Sequence, residues 1–153
     1  MPIEKVIADV FQVDSDIRAV KMTPAHVHIL QLLKLEKTTV QKVILGGEAV
    51  EKSQVRTLLE LNADIDIYNE YGPTETTVGC TVDQLSTEAD ITIGHPIART
   101  EIYLLNAYGG LCPIGVSGEI YIGGAGVAKG YKTRLDLTAA KFVTNPFNDE
   151  PDA

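Results

Sequence analysis

The chain has 153 residues, 44% of them apolar, and a net charge of −8 at neutral pH. That length suits one ordinary domain, the apolar share excludes disorder, and acidic and basic residues are mixed without the basic patch of a nucleic-acid binder. No apolar run approaches the roughly 20 residues a membrane span needs; Met1 to Asp9 lack the core of a targeting segment, and two unclustered cysteines, Cys80 and Cys112, point to a reducing cytoplasm without disulfides.

Taken in chain order, Ile17 to Met22 reads as a short strand. Thr23 and Pro24 then start a helix, as N-cap and first helical residue, with Val27, Leu30, Leu33 and Leu35 as its apolar face. His26 and His28 lie on this helix, and no Cys or carboxylate sits at metal spacing beside them, so a structural role is expected. Val40 to Leu45 is a buried-type strand ending at Gly46-Gly47. Glu51 to Leu61 is the next helix, facing inward with Val55, Leu58, Leu59 and Leu61. Ile65 to Asn69 is the following strand. This order, with short loops, predicts an α/β fold whose sheet is at least partly parallel, with ligands outside the carboxyl ends of its strands. Gly46-Gly47 and Tyr71-Gly72 both lie at such ends.

Beyond Gly79 the pattern becomes β-rich. Cys80 to Val82 extends, Gln84 to Ala89 is a polar loop, and Ile102 to Leu105 and Glu119 to Ile122 read as strands bracketed by turns. A small, barrel-like subdomain is expected here, closed by a short helix over Arg134 to Phe142 and followed by a loose acidic tail from Asn148. The expected division is therefore residues 1–82, carrying the binding site, and residues 83–153.

The most informative stretch is Ile65 to Thr77. Strand alternation breaks at Gly72-Pro73, and Thr74, Glu75, Thr76 and Thr77 follow, four oxygen-bearing side chains in a row. Such a strand end suits a polyphosphate and its metal, since hydroxyls donate to phosphate oxygens and a carboxylate is a hard ligand for Mg²⁺. A strand, a turn and a helix cap would explain the same residues.

Asn69-Glu70-Tyr71-Gly72-Pro73-Thr74-Glu75 resembles the core motif of amino-acid adenylation domains of nonribosomal peptide synthetases, in the superfamily that includes acyl-CoA synthetases and luciferases. Leu45-Gly46-Gly47-Glu48-Ala49 resembles the family's upstream Gly-Gly-Glu loop, and Gly118 to Tyr131 its later glycine-rich motif. Two departures are Lys129, where the family usually has arginine, and Ala140, where relatives often carry glutamate. The family's phosphate loop, its ribose-binding aspartate and its mobile C-terminal domain have no counterpart here. The chain thus reads as an internal piece of such an enzyme, expected to be inactive alone and to self-associate through an open apolar face.

The resemblance implies roles. Asn69 would hold the exocyclic amine of adenine, as its amide chemistry allows. Tyr71 would stack on the base, and Gly46 and Gly47 would let the backbone approach its other face. Glu48, Glu70 and Gly72 complete the nucleotide loop. Thr74 would contact the α-phosphate and Glu75 would hold Mg²⁺, so ATP and Mg²⁺ are implied. The aminoacyl group would pass to phosphopantetheine on a partner carrier domain among other synthetase modules. Positions lining the family's side-chain pocket fall on Lys21, Ile44, Gly46, Glu70, Val78 and Gly79. Lys21 can donate to a carboxamide oxygen and Glu70 can accept from its NH₂, so asparagine is the expected substrate and aspartate the runner-up. Lys21 and Glu70 could instead simply pair with each other. The rival readings are an acyl- or aryl-acid CoA ligase of the same superfamily and a non-catalytic binding module.

Overall fold

The computed structural model describes residues 1–147. The expected acidic tail from Asn148 lies outside the described residues. The chain forms two compact units: Met1–Tyr71 with Thr81–His95, and Gly72–Cys80 with the chain from Pro96 onward. The boundary expected at residues 82 and 83 falls inside a strand, Thr81–Gln84.

The first unit is built on β1 (Ala19–Met22), β2 (Lys42–Gly46), β3 (Asp66–Tyr71) and β4 (Thr81–Gln84), joined through α2 (Pro24–Leu33) and α3 (Lys52–Leu61). β1, β2 and β3 are parallel neighbours and β4 runs antiparallel to β3; a two-residue strand, β5 (His95–Pro96), ends the sheet order. A partly parallel sheet with flanking helices is thus the observed architecture. In β2 and β3 the alternating burial sends Val43, Leu45 and Ile67 into the core with Val27 and Leu30 of α2 and Val55 and Leu58 of α3.

Both connecting helices start on reciprocal caps. The His26 imidazole accepts from the Thr23 backbone N–H at 3.1 Å, which places His26 in a structural role as expected. Gln54 does the same for Glu51 at 2.8 Å, and its Nε2 donates to the Pro24 carbonyl at 3.2 Å, tying α3 to α2. The buried amide thereby uses both its ends.

One element lies outside the expected set. α1 (Ile3–Phe11) precedes the first strand and buries Ile7 and Phe11 in the same core. Phe11 is 1% exposed, a burial that stabilises by about 1.5–3 kcal/mol.

The second unit contains an antiparallel pair, β6 (Thr100–Leu105) and β7 (Glu119–Gly124), and α4 (Leu135–Lys141). The expected barrel-like closure is absent among the described residues: two strands cannot close a sheet on itself. Pro113 to Val116 and Asn106 to Gly109 form turns.

Candidate functional site

In the first unit, the strand period sorts the expected pocket residues. Val43, Leu45 and Ile67 face the helices, so Lys21, Ile44, Gly46 and Glu70 fall on the opposite face. The register aligns them, with Lys21 beside Ile44 and Gly46 beside Glu70. There the Lys21 ammonium and the Glu70 carboxylate form an ion pair, so the alternative that these two meet each other is realised. Lys21 is half exposed, and such pairs contribute at most about 1 kcal/mol. Gly46 keeps Glu70 close: a Cβ on it would lie 3.1 Å from the Glu70 carbonyl oxygen.

Asn69, one residue before Glu70, points to the other side and is 7% exposed. Its Nδ2 donates to the Thr92 carbonyl at 2.7 Å, leaving Oδ1 as the amide's acceptor. The Thr92 hydroxyl in turn donates to Asp83 at 2.5 Å and accepts from the Gly94 N–H at 3.0 Å. Asn69 therefore also holds the 92–94 loop. Asn69→Ala would leave the Thr92 carbonyl short of a donor, a loss of about 1–3 kcal/mol in a urea titration. An unchanged midpoint would remove Asn69 from the loop's support.

Gly47 has φ +88°, a left-handed conformation that glycine adopts without strain, so the loop after β2 turns there. The Glu48 carboxylate accepts from the backbone N–H of Ala25 in the first turn of α2, at 3.1 Å, the favourable end of the helix for an anion. The structure thus gives Glu48 a capping contact. Tyr71, the last residue of β3, is exposed.

The hydroxyl-rich turn belongs to the second unit. Thr74–Thr76 makes a single 3₁₀ turn, and Thr77 and Val78 follow with φ +60° and +74°. Positive φ at a β-branched residue is strained, and such strain is held where surrounding contacts fix it. Here the Thr77 hydroxyl donates to the Gly126 carbonyl at 2.7 Å, and the Ala128 N–H donates to the Glu75 carbonyl at 2.8 Å. Thr74 is exposed, whereas Thr76 is buried with its hydroxyl on the Pro73 carbonyl.

Glu75 is half-buried, and its carboxylate accepts a hydrogen bond from the Tyr131 hydroxyl. That bond holds the Glu75 carboxyl below the usual carboxylate range and pushes the Tyr131 phenol up. A cleft of about 350 Å³ opens beside it, lined by Pro73, Thr76, Tyr121, Val127 and Phe142 among others.

No group of three or more His, Cys, Asp or Glu side chains suited to a metal occurs among the described residues. A lone carboxylate flanked by hydroxyls still fits Mg²⁺, which keeps several waters and binds through one or two carboxylates plus substrate phosphates.

A family model described as AMP-binding enzyme matches residues 11–132. The chain belongs to that family. Among curated proteins, it is 37% identical to bacitracin synthase 3 of Bacillus licheniformis over 149 residues, 94% of this chain and 2% of that protein. It is 36% identical to tyrocidine synthase 3 of Brevibacillus parabrevis over 148 residues, again 94% of this chain and 2% of that one. The chain thus spans only a few per cent of these relatives' length. Among solved structures it matches a four-domain nonribosomal peptide synthetase bound to AMP and glycine, with TM-score 0.78, 34% identity, and 87% and 10% of the two chains covered. It also matches a peptide synthetase protein containing adenylation and PCP domains, with TM-score 0.74, 29% identity, and 84% and 27% covered. The adenylation-domain resemblance carried by the three motifs is borne out.

The register of the sheet brings Lys21, Ile44, Gly46 and Glu70 together on one face. Asn69 stands on the other face, and Thr74, Glu75, Val78 and Gly79 belong to the second unit's turn. Sequence reasoning missed Tyr131 and Thr92. No spacing rule connects Glu75 to a tyrosine 56 positions on.

Proposed function

We propose that the chain is the nucleotide- and amino-acid-binding part of an ATP-dependent adenylation domain. It would activate an amino acid as aminoacyl-AMP for transfer to the phosphopantetheine thiol of a carrier domain. The observation that supports this best is the family match over residues 11–132, which contains both the Asn69–Glu75 strand end and the paired Lys21 and Glu70.

In this reading the substrate's carboxylate oxygen attacks the α-phosphorus of ATP, the new O–P bond forms, and pyrophosphate leaves with the electrons of the broken one. No protein nucleophile is needed. The Thr74 hydroxyl donates to an α-phosphate oxygen and Glu75 is the ligand for Mg²⁺. When bound, Mg²⁺ supplies charge neutralisation as negative charge shifts onto the leaving group. Asn69 Oδ1 accepts from the adenine amine, Tyr71 stacks on the ring, and Gly46, Gly47, Glu48, Glu70 and Gly72 shape the loops around it. In this reading the residues of the site all fall within residues 1–82. The reading sets the enzyme in the cytoplasm, where ATP and amino acids are supplied. No described helix is long and apolar enough to cross a membrane.

The substrate we propose is asparagine, with aspartate as the competitor. The Lys21–Glu70 pair sets a donor and an acceptor side by side, matching the two ends of a carboxamide. Lys21 alone would favour aspartate, but Glu70 accepts from an NH₂ and repels a second carboxylate. A misplaced polar group costs about 1–3 kcal/mol, hence discrimination of about fivefold to a hundredfold or more. The test is ATP–pyrophosphate exchange by a complete adenylation domain containing this chain, across all amino acids and a set of aryl acids. Asparagine should lead, and Glu70→His should relax or invert its advantage over aspartate. Exchange driven by aryl acids alone would refute amino-acid activation. An asparagine-to-aspartate ratio untouched by Glu70→His would refute the substrate assignment.

A further inference from the structure

The glycine-rich run after β7 does not end in the Gly-Lys-Ser/Thr of a phosphate loop, and the function proposed above gives it no task. Its geometry supplies one. At Gly130 φ is +130°, and a Cβ there would lie 2.4 Å from Thr138 Cγ2, so the chain turns tightly against α4. The next residue, Tyr131, is anchored twice by that helix region: its N–H donates to the Thr138 hydroxyl at 2.9 Å, and its ring packs edge-on against Phe142, with centroids 5.5 Å apart. With main chain and ring both fixed, the phenol reaches one oxygen of Glu75, Oε1. The same run holds the turn's backbone, through Ala128 N–H on the Glu75 carbonyl and the Gly126 carbonyl on Thr77.

We propose that Tyr131 is the positioning residue for Glu75: its hydroxyl fixes the carboxylate's rotation by occupying Oε1 and presents Oε2 to Mg²⁺. The inference rests on reading Glu75 as the magnesium ligand. Its physical basis is general: a ligating carboxylate swings freely about its last torsion unless a second partner holds one oxygen. Tyr131 does not touch the reacting atoms; it acts through Glu75.

The test uses a complete adenylation domain containing this chain, as wild type, Tyr131→Phe, Thr138→Val, Glu75→Gln and the control Tyr108→Phe, whose ring is 97% exposed. Two quantities are read: the Mg²⁺ concentration for half-maximal ATP–pyrophosphate exchange, and Mn²⁺ binding in the presence of non-cleavable α,β-methylene-ATP by electron paramagnetic resonance. Tyr131→Phe should raise the half-saturating Mg²⁺ and weaken Mn²⁺ binding by about tenfold, with kcat largely restored at high Mg²⁺. Thr138→Val, which frees the Tyr131 backbone, should move both in the same direction by less, and it carries the test if Tyr131→Phe does not fold. Tyr108→Phe should move neither. If Tyr131→Phe and Thr138→Val leave both readouts unchanged while Glu75→Gln weakens them, the positioning role is wrong and the metal reading stands. If Glu75→Gln also changes nothing, both fall.

Discussion

Glu75→Gln in a complete adenylation domain containing this chain is expected to lower amino-acid-dependent ATP–pyrophosphate exchange by about a hundredfold or more. Losing a charged metal ligand removes several kcal/mol of transition-state stabilisation, and each 1.4 kcal/mol is a factor of ten. Glutamine is the informative replacement. Its amide oxygen can still accept from the Tyr131 hydroxyl, so the contact across the turn is retained while the charge is lost. The side chain is half-buried at a turn and contributes little to the core, so the unfolding midpoint should stay within about 0.5 kcal/mol of wild type. A rate unchanged at saturating Mg²⁺ would take Glu75 out of the mechanism. A large fall in thermal stability would show instead that the carboxylate is structural.

Gly72→Ala should be the most damaging small change at the hydroxyl-rich turn. A Cβ on Gly72 would lie 2.3 Å from the Val78 carbonyl oxygen and 2.8 Å from the Cys80 backbone nitrogen. Both are main-chain atoms and cannot swing aside as a side chain could. The returning chain must therefore move, at a cost of about 3 kcal/mol or more. For a domain of this size that is about 6–12 °C in melting temperature. Because the segment that moves carries Thr77 and Val78 in their left-handed conformations, exchange activity should fall with stability. Gly126→Ala gives the comparison: its Cβ would come no nearer than 3.2 Å to the Thr76 carbonyl, so a smaller shift is expected. Equal melting temperatures for the two variants would mean that the close approach at Gly72 relaxes freely.

Local chemistry makes much of this molecule readable. Thr23-Pro24 announces α2 because a hydroxyl cap and a proline at the first turn act within a few residues. The buried alternation of Val40 to Leu45 announces β2, and short loops between alternating elements announce parallel pairing. The helix over Ile3–Phe11 carries an equally legible signal: Ile3, Val6, Ile7, Val10 and Phe11 follow the helical period. Weighing that stretch only as a targeting segment misses it. The barrel-like expectation fails differently. Turn-bracketed apolar runs predict strands but carry no information on how many strands a sheet needs to close.

Within the site, what lies outside the sequence's reach depends on distance along the chain. Lys21 and Glu70 are brought together by the pocket positions that the family resemblance implies and by their opposite charges, and the structure pairs them. Val78 can be assigned to a pocket, but its positive φ cannot be foreseen, since nothing in a β-branched side chain favours that conformation. The Asn69 to Thr92 bond and the Tyr131 to Glu75 bond each join residues more than twenty positions apart. Neither leaves a periodic trace.

The alternation of β2 and β3 has a consequence for how such sequences diversify. Residues that build the interior and residues that line the proposed pocket are interleaved one by one, yet they project to opposite sides: Val43 and Leu45 inward, Ile44 and Gly46 outward. A change of pocket residue therefore leaves the interior's volume untouched. Drift or deliberate reprogramming can sample new side chains at Lys21, Ile44 and Glu70 while the hydrophobic layer one residue away stays under its own selection. The strand works as two independent alphabets written on one line, one read by the helices and the other by whatever small molecule the outer face admits.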